Sequence, residues 1–171
     1  DTLDDLALFL KKFGEKERVF VLGAGSNILM TDKKFDGVVI KLGRNFSNLS
    51  LLPNKIIVAG SAATDKKLSE FALDNNIGGF EFLSCIPGTV GGGLRINSGC
   101  FGSEFKDILV SVQVIDKKGN IKTIPSSSIK FGYRQSPLDK DFIFLSASFK
   151  GEIKEKNKIE KMIKKLKNQK D

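Results

Sequence analysis

Between Ile86 and Gly102 the chain reads Ile-Pro-Gly-Thr-Val-Gly-Gly-Gly-Leu-Arg-Ile-Asn-Ser-Gly-Cys-Phe-Gly, six glycines in seventeen residues. Gly91, Gly92 and Gly93 are consecutive. In a helix-like stretch each costs about 1 kcal/mol relative to alanine, which a stable domain tolerates more readily where a ligand or another backbone must come close. Successive glycines also free N–H groups to converge on an anion, and helix N-termini add a partial positive charge. Pro87 suits the first turn of a helix here, with Gly88 and Thr89 facing the anion. A smaller glycine loop, Gly23-Ala-Gly-Ser-Asn27, lies about 60 residues earlier and ends the short strand Arg18–Leu22. Alone it reads as a tight turn between strands. Together the two loops form a pair able to clamp a pyrophosphate from two sides.

Neither loop is a standard nucleotide fingerprint. Gly23 and Gly25 fit the first two positions of G-x-G-x-x-G, but Ile28 stands at the third and a strand, not a helix, is expected next. No Gly-Lys-Ser/Thr occurs, which excludes the P-loop. The 171 residues contain no histidine and two cysteines, Cys85 and Cys100. That removes Ser-His-Asp triads, Cys-His dyads, histidine metal sites and four-thiolate clusters. No metal is expected, and the cysteines read as packed thiols, with a disulfide the alternative. The remaining chemistry rests on carboxylates, Ser, Tyr, Lys, Arg or a bound organic cofactor.

The net charge of +8 raises the question of nucleic acid, so its placement matters. Of 28 basic and 20 acidic residues, nine lysines and four acids fall between Lys150 and Asp171, leaving 19 and 16 in the rest. Only four basic residues are arginines: Arg18, Arg44, Arg95 and Arg134. Base and phosphate readers favour the guanidinium fork, and no aromatics interleave with the tail lysines as single-strand binding needs. The excess charge reads as a solvated helix face; no nucleic-acid partner is expected. The longest apolar run, near Phe142–Leu145, falls far short of the ~20 residues of a membrane span. No secretory signal opens the chain, and the expected location is cytoplasmic. The start at Asp1, directly on a helix, suggests a fragment.

Periodicity gives the elements. Leu3, Leu6, Phe9, Leu10 and Phe13 predict a helix over Thr2–Phe13, stopped at Gly14. Strands are expected at Arg18–Leu22, Ile28–Met30, Val38–Leu42 and Lys55–Ala59, the last paired with Ser50–Leu52 across Pro53-Asn54. Thr64 caps a helix to about Asn75 with Leu68, Phe71 and Ala72 inward. Ile108–Ile115 and Asn120–Ile124 read as a hairpin, and Phe142–Phe149 as a buried strand. A lysine-rich helix is expected from about Glu152 to Lys167, with Ile159, Met162, Ile163 and Leu166 as its apolar stripe. The fold class is α+β.

At this point the sequence resembles a known family. Val21-Leu-Gly-Ala-Gly-Ser-Asn-Ile-Leu29, followed by Phe35-Asp-Gly-Val-Val-Ile40, resembles the flavin loop of the UDP-N-acetylenolpyruvoylglucosamine reductases of peptidoglycan synthesis. The run from Gly79 to Gly102 is similar to that family's second FAD segment, and Phe131-Gly-Tyr-Arg-Gln-Ser136 to its Tyr-Arg-x-Ser motif. Gly93, Ser98 and Cys100 stand where alanine is common in the family. The resemblance implies the two-lobed FAD-binding fold of the vanillyl-alcohol oxidase/PCMH type, lacking the C-terminal substrate domain. Residues 1–47 would form one lobe, truncated at its N-terminus, 48–150 the second, and 151–171 a basic helix toward the absent domain.

It further implies that FAD binds non-covalently through Gly23, Ala24, Gly25, Ser26 and Asn27 on one side. Ile86, Pro87, Gly88, Thr89, Gly91, Gly92, Asn97 and Gly99 would line the other. NADPH would donate hydride, and the substrate would be UDP-N-acetylglucosamine enolpyruvate, a UDP-sugar contacted by Tyr133 and Arg134. Arg134 would be the catalytic residue, binding the substrate carboxylate as negative charge spreads into it. Read without the motif, Arg134 is a surface ion-pairing residue and Tyr133 an ordinary ring with a wet hydroxyl. The family's serine and glutamate that complete the site belong to a third domain, so no proton donor is named here. The expected protein is a monomer, little active as an isolated chain. The competing readings are an FAD module of another PCMH-type oxidoreductase acting on a hydroxy acid or alcohol, and a basic nucleic-acid binder.

Overall fold

The computed structural model describes residues 2–170; Asp1 and Asp171, the expected outer limits of the first and last segments, lie outside the described residues. The helices are α1 (Leu3–Phe13), α2 (Asp65–Asp74), α3 (Val90–Arg95), α4 (Phe105–Ile108) and α5 (Lys156–Lys170). The strands are β1 (Val19–Val21), β2 (Val38–Ile40), β3 (Leu49–Leu52), β4 (Ile56–Gly60), β5 (Ile77–Gly78) and β6 (Gly99–Cys100). They continue with β7 (Ser103–Glu104), β8 (Leu109–Ile115), β9 (Ile121–Pro125), β10 (Ile143–Lys150) and β11 (Glu152–Ile153). The α+β class expected from sequence is the class observed.

A five-stranded antiparallel sheet in the order β3-β4-β10-β8-β9 carries the molecule. Its central strand β10 is covered on both faces, which is why Ile143–Leu145 reads as a continuous apolar run rather than an alternation. A register shift against β8 between Phe144 and Ser146 changes which residues face which layer. Ile143 and Leu145 join Leu6 and Leu10 of α1, with Val19 and Ile40 of the small parallel β1–β2 pair against them. Phe144, Ala147 and Phe149 face the larger core with Leu68, Phe80, Phe105 and Leu94. There Phe105 packs edge-on to Phe149 and Phe82, ring centroids 5.7 and 6.3 Å apart.

Local chemistry sets the boundaries. Thr2 and Asp5 form a reciprocal capping box at α1, the Asp5 amide donating to the Thr2 hydroxyl at 3.2 Å and the Thr2 amide to Asp5 Oδ2 at 2.9 Å. Thr64 caps α2 through the Lys67 amide, with Asn75 at the far end. The predicted β8–β9 hairpin forms, its turn held by Asp116 Oδ1, which accepts from the Lys118 and Asn120 amides at 2.9 Å each.

Three expectations are corrected. Ile28–Met30 is not a strand: Leu29 and Met30 are 96% and 67% exposed, no ladder partner among the described residues meets them, and β2 pairs in parallel with β1. The chain between Val21 and Val38 is therefore an irregular crossover, not a turn and a strand. The last helix begins at Lys156, not Glu152, because Glu152 and Ile153 pair with Gly78 and Ile77. In its stripe Ile159 and Leu166 are buried while Met162 is 39% exposed. Pro87 precedes helix α3 instead of opening its first turn; the cap is Thr89.

Candidate functional site

The two glycine loops meet. A Cβ placed on Gly23 would stand 2.8 Å from the Thr89 hydroxyl oxygen, so the first loop touches the second at its helix cap. Thr89 in turn accepts from the Gly92 amide at 3.4 Å and forms an antiparallel bridge with Thr64. Gly25 turns the first loop with φ +76°. Among the described residues, the amides of residues 23–27 and of Gly88 and Thr89 donate to no protein acceptor. Those unspent N–H groups suit an anion, and the residues present fit a pyrophosphate seated between the loops.

The three consecutive glycines divide by role. Gly91 sits against Ser61, whose carbonyl accepts its amide at 2.9 Å; a Cβ there would lie 3.1 Å from Ser61 Cβ. Gly93 lies against the buried Phe105 ring, 2.6 Å from Cζ if a Cβ were added. Of the two reasons for the glycine run, close approach by the protein itself accounts for Gly91 and Gly93. Gly92 remains exposed with only Thr89 Oγ1 nearby. Ile86 packs against the larger core and Pro87 is exposed.

Asn97 and Gly99 lie beyond α3. Asn97 is fully buried at φ +45°, and its side chain is already engaged. Its amide nitrogen donates to Gly132 O and to Glu104 Oε2, both at 3.2 Å, while its oxygen accepts from the Lys106 amide at 3.0 Å. The Lys106 ammonium, 2.6 Å from Glu104 Oε2, holds the Glu104 carboxyl below the usual carboxylate range by hydrogen bonding. Gly99 pairs with Glu104 across β6 and β7.

Tyr133 and Arg134 occupy the middle of a turn closed by Gly132 and Gln135, whose backbones exchange hydrogen bonds of 3.0 and 3.2 Å. Both are exposed, Tyr133 at 83%, and the Arg134 guanidinium lies 5.9 Å from the Tyr133 ring centroid. Arg134 has φ +50°, a left-handed conformation costing a non-glycine residue of order 1 kcal/mol. By contrast Arg95 is structural: it donates to the Asp139 and Phe142 carbonyls and lies over the Phe144 ring at 4.3 Å. The structure thus brings Gly23 to Thr89 and Asn97 to Gly132, whereas the Arg134 side chain makes its ring contact with Tyr133 alone.

Sequence reasoning missed Asp65. As the first residue of α2 it reads as an ordinary helix-start acid, yet it is fully buried, with Oδ2 2.8 Å from where a Gly88 Cβ would stand. Among the described residues neither carboxyl oxygen has a hydrogen-bond partner, nor do the buried Ser61 and Ser69 hydroxyls. Burial pushes the Asp65 carboxyl up to about 7. A buried acid one residue behind a helix cap leaves no distinct sequence signal. Elsewhere, a cavity of about 420 Å³ between α5 and the Glu81–Cys85 turn contains none of the expected site residues in its lining. Cys85, buried, and Cys100, half-buried, are not joined in a disulfide. Among the described residues no cluster of three or more metal-ligating side chains occurs, and no helix is long and apolar enough to cross a membrane.

Comparison with known proteins agrees with this geometry. The family described as FAD binding domain matches residues 1–125. The UDP-N-acetylenolpyruvoylglucosamine reductase of Pelagibacter ubique is 66% identical over 171 residues, all of this chain and 57% of that protein. The chain thus spans little more than half of this curated relative. The crystal structure of UDP-N-acetylenolpyruvylglucosamine reductase from Thermus caldophilus superposes with a TM-score of 0.87 at 26% identity, covering 99% of this chain and 60% of that one. Carbon monoxide dehydrogenase from Hydrogenophaga pseudoflava shares the fold alone, with a TM-score of 0.63 at 14% identity over 88% of this chain and 57% of its own. These relationships bear out the two-lobed FAD-binding architecture of the PCMH type. The chain belongs to the FAD-binding domain family, and over its full length it is similar to the FAD-binding portion of UDP-N-acetylenolpyruvoylglucosamine reductases.

Proposed function

We propose that this chain holds FAD in a reductase that converts UDP-N-acetylglucosamine enolpyruvate to UDP-N-acetylmuramate with NADPH as reductant, in the cytoplasm. The observation that carries this reading is the meeting of the Gly23–Asn27 loop with the Pro87–Gly92 loop at Thr89, both with amides unspent on protein acceptors. FAD, when bound, supplies hydride transfer from NADPH to the vinyl carbon of the substrate. The chain's own residues bind and orient. Amides of Gly23–Asn27, Gly88 and Thr89 face the pyrophosphate, and Gly92 leaves room for it. The two lobes divide near residue 47, and the segment after Lys150, with β11 and α5, leads on.

Arg134 binds the substrate carboxylate and stabilises the negative charge that spreads into it, a task suited to a group that stays charged and binds bidentately. Its exposure and left-handed backbone support that role: the side chain is presented outward on a strained turn instead of being spent on packing. Tyr133 lies beside the same substrate. No group near Arg134 in this chain is assigned to protonate the carbanion, so these 171 residues alone turn over little.

The test is NADPH oxidation by the full-length protein that carries this segment. Oxidation that depends on the enolpyruvyl UDP-sugar, and that falls at least a hundredfold in Arg134→Lys, is the expected result. Flavin reduced by a hydroxy acid or alcohol, with no response to the UDP-sugar, would assign the chain to another oxidoreductase.

A further inference from the structure

The Asn97 side chain joins two segments 35 residues apart in sequence, the exit from α3 and the turn that carries Tyr133 and Arg134. Its amide can face only one way. The oxygen must meet the Lys106 N–H, and the NH₂ group must meet the two acceptors, Gly132 O and Glu104 Oε2. The Gly132 carbonyl receives a second hydrogen bond from the Gln135 amide, so both of its lone pairs are used and the turn is held from inside and from below. Asn97 itself is buried and left-handed, a conformation asparagine tolerates better than most residues.

We propose that Asn97 is the positioning residue for Arg134: by fixing the carbonyl two residues ahead of it, Asn97 sets where the guanidinium stands relative to the glycine loops. This rests on the reading of Arg134 as the carboxylate-binding group. Asn97 touches neither cofactor nor substrate in this account; it acts through the turn.

Asn97→Asp keeps the shape and the acceptor for Lys106 but cannot donate to Gly132, and it sets a carboxylate against Glu104. The double variant Asn97→Asp/Glu104→Gln removes that repulsion and leaves the Gly132 bond as the missing contact, so it serves where the single variant fails to fold. Tyr133 is the only tyrosine and the chain has no tryptophan, so the ultraviolet emission of these 171 residues reports the turn. Time-resolved anisotropy is expected to show a larger fast, segmental component in both variants than in the wild type. In the full-length protein, reduction of FAD by NADPH should stay within twofold of wild type. Reoxidation by the enolpyruvyl UDP-sugar should slow tenfold or more, with FAD affinity retained. Unchanged tyrosine anisotropy, or equal slowing of both half-reactions, would overturn the proposal. A wild-type protein with no response to the UDP-sugar would defeat the functional reading alone; the anisotropy comparison would still decide whether Asn97 holds the turn.

Discussion

The hydroxyl of Thr89 lies 2.8 Å from the point a Cβ on Gly23 would occupy, and the same oxygen caps the Gly92 amide. Gly23 does not lie in the left-handed region, so alanine is conformationally allowed there and its effect comes from contact. Gly23→Ala must push Thr89 aside and loosen the α3 cap, an interaction worth about 1 kcal/mol. FAD affinity should fall roughly fivefold to tenfold, read from the midpoint of a flavin-fluorescence titration. An affinity equal to wild type would mean the loops do not act together.

Asp65 gives a pH dependence of defined sign. Its folded-state carboxyl is pushed up to about 7 by burial, above the ~3.9 of an exposed aspartate. The folded state therefore holds the proton more tightly, and its stability falls as pH rises from the unfolded value through about 7. Asp65→Asn removes this dependence. Between pH 5 and pH 8 the variant should gain about 2–3 kcal/mol on the wild type, at 1.36 kcal/mol per pH unit over the interval up to the folded pKa. Urea midpoints at the two pH values check it; a constant difference would show that Asp65 is solvated or paired.

Gly93→Ala tests the packing of the second loop. Its Cβ would press into the Phe105 ring, which is fully buried between Phe82 and Phe149. A loss of about 1–3 kcal/mol is expected. Adding Phe105→Leu should make the double variant less unstable than the sum of the singles by more than about 0.5 kcal/mol. Strict additivity in chemical denaturation would contradict the contact.

Docking of α5 depends on Glu81. This buried carboxylate accepts from the Gly79 amide at 2.7 Å and pairs with Lys154 at 3.1 Å, just ahead of the helix. Glu81→Ala leaves that amide and ammonium without their partner and should cost about 2 kcal/mol. Hydrogen exchange in residues 152–166 should quicken before the central sheet is affected; uniform protection across the chain would argue otherwise.

What was legible in the sequence was local. The first helix, the Thr64 cap of α2 and the hairpin about Lys117–Gly119 form as expected, each boundary held by partners within a few residues: Thr2 with Asp5, Thr64 with Lys67, and Asp116 with Lys118 and Asn120. The misread elements depend on distant partners. Ile28–Met30 has strand-like residues but no strand to pair with, and Glu152 leaves the helix because Gly78, far back in the chain, takes it into a ladder. The glycine run announced close approach without saying of what: Phe105 and Ser61 account for two of its members. Asn97 looked like part of the cofactor loop, and only the position of Gly132 shows its amide to be occupied.

The most direct test of the account is a visible-absorbance and fluorescence titration of the 171-residue chain with FAD. Saturable uptake of one flavin per chain, with a perturbed flavin band and weaker uptake in Gly23→Ala, is the predicted result. Free-flavin spectra throughout, in this chain and in the full-length protein alike, would contradict it.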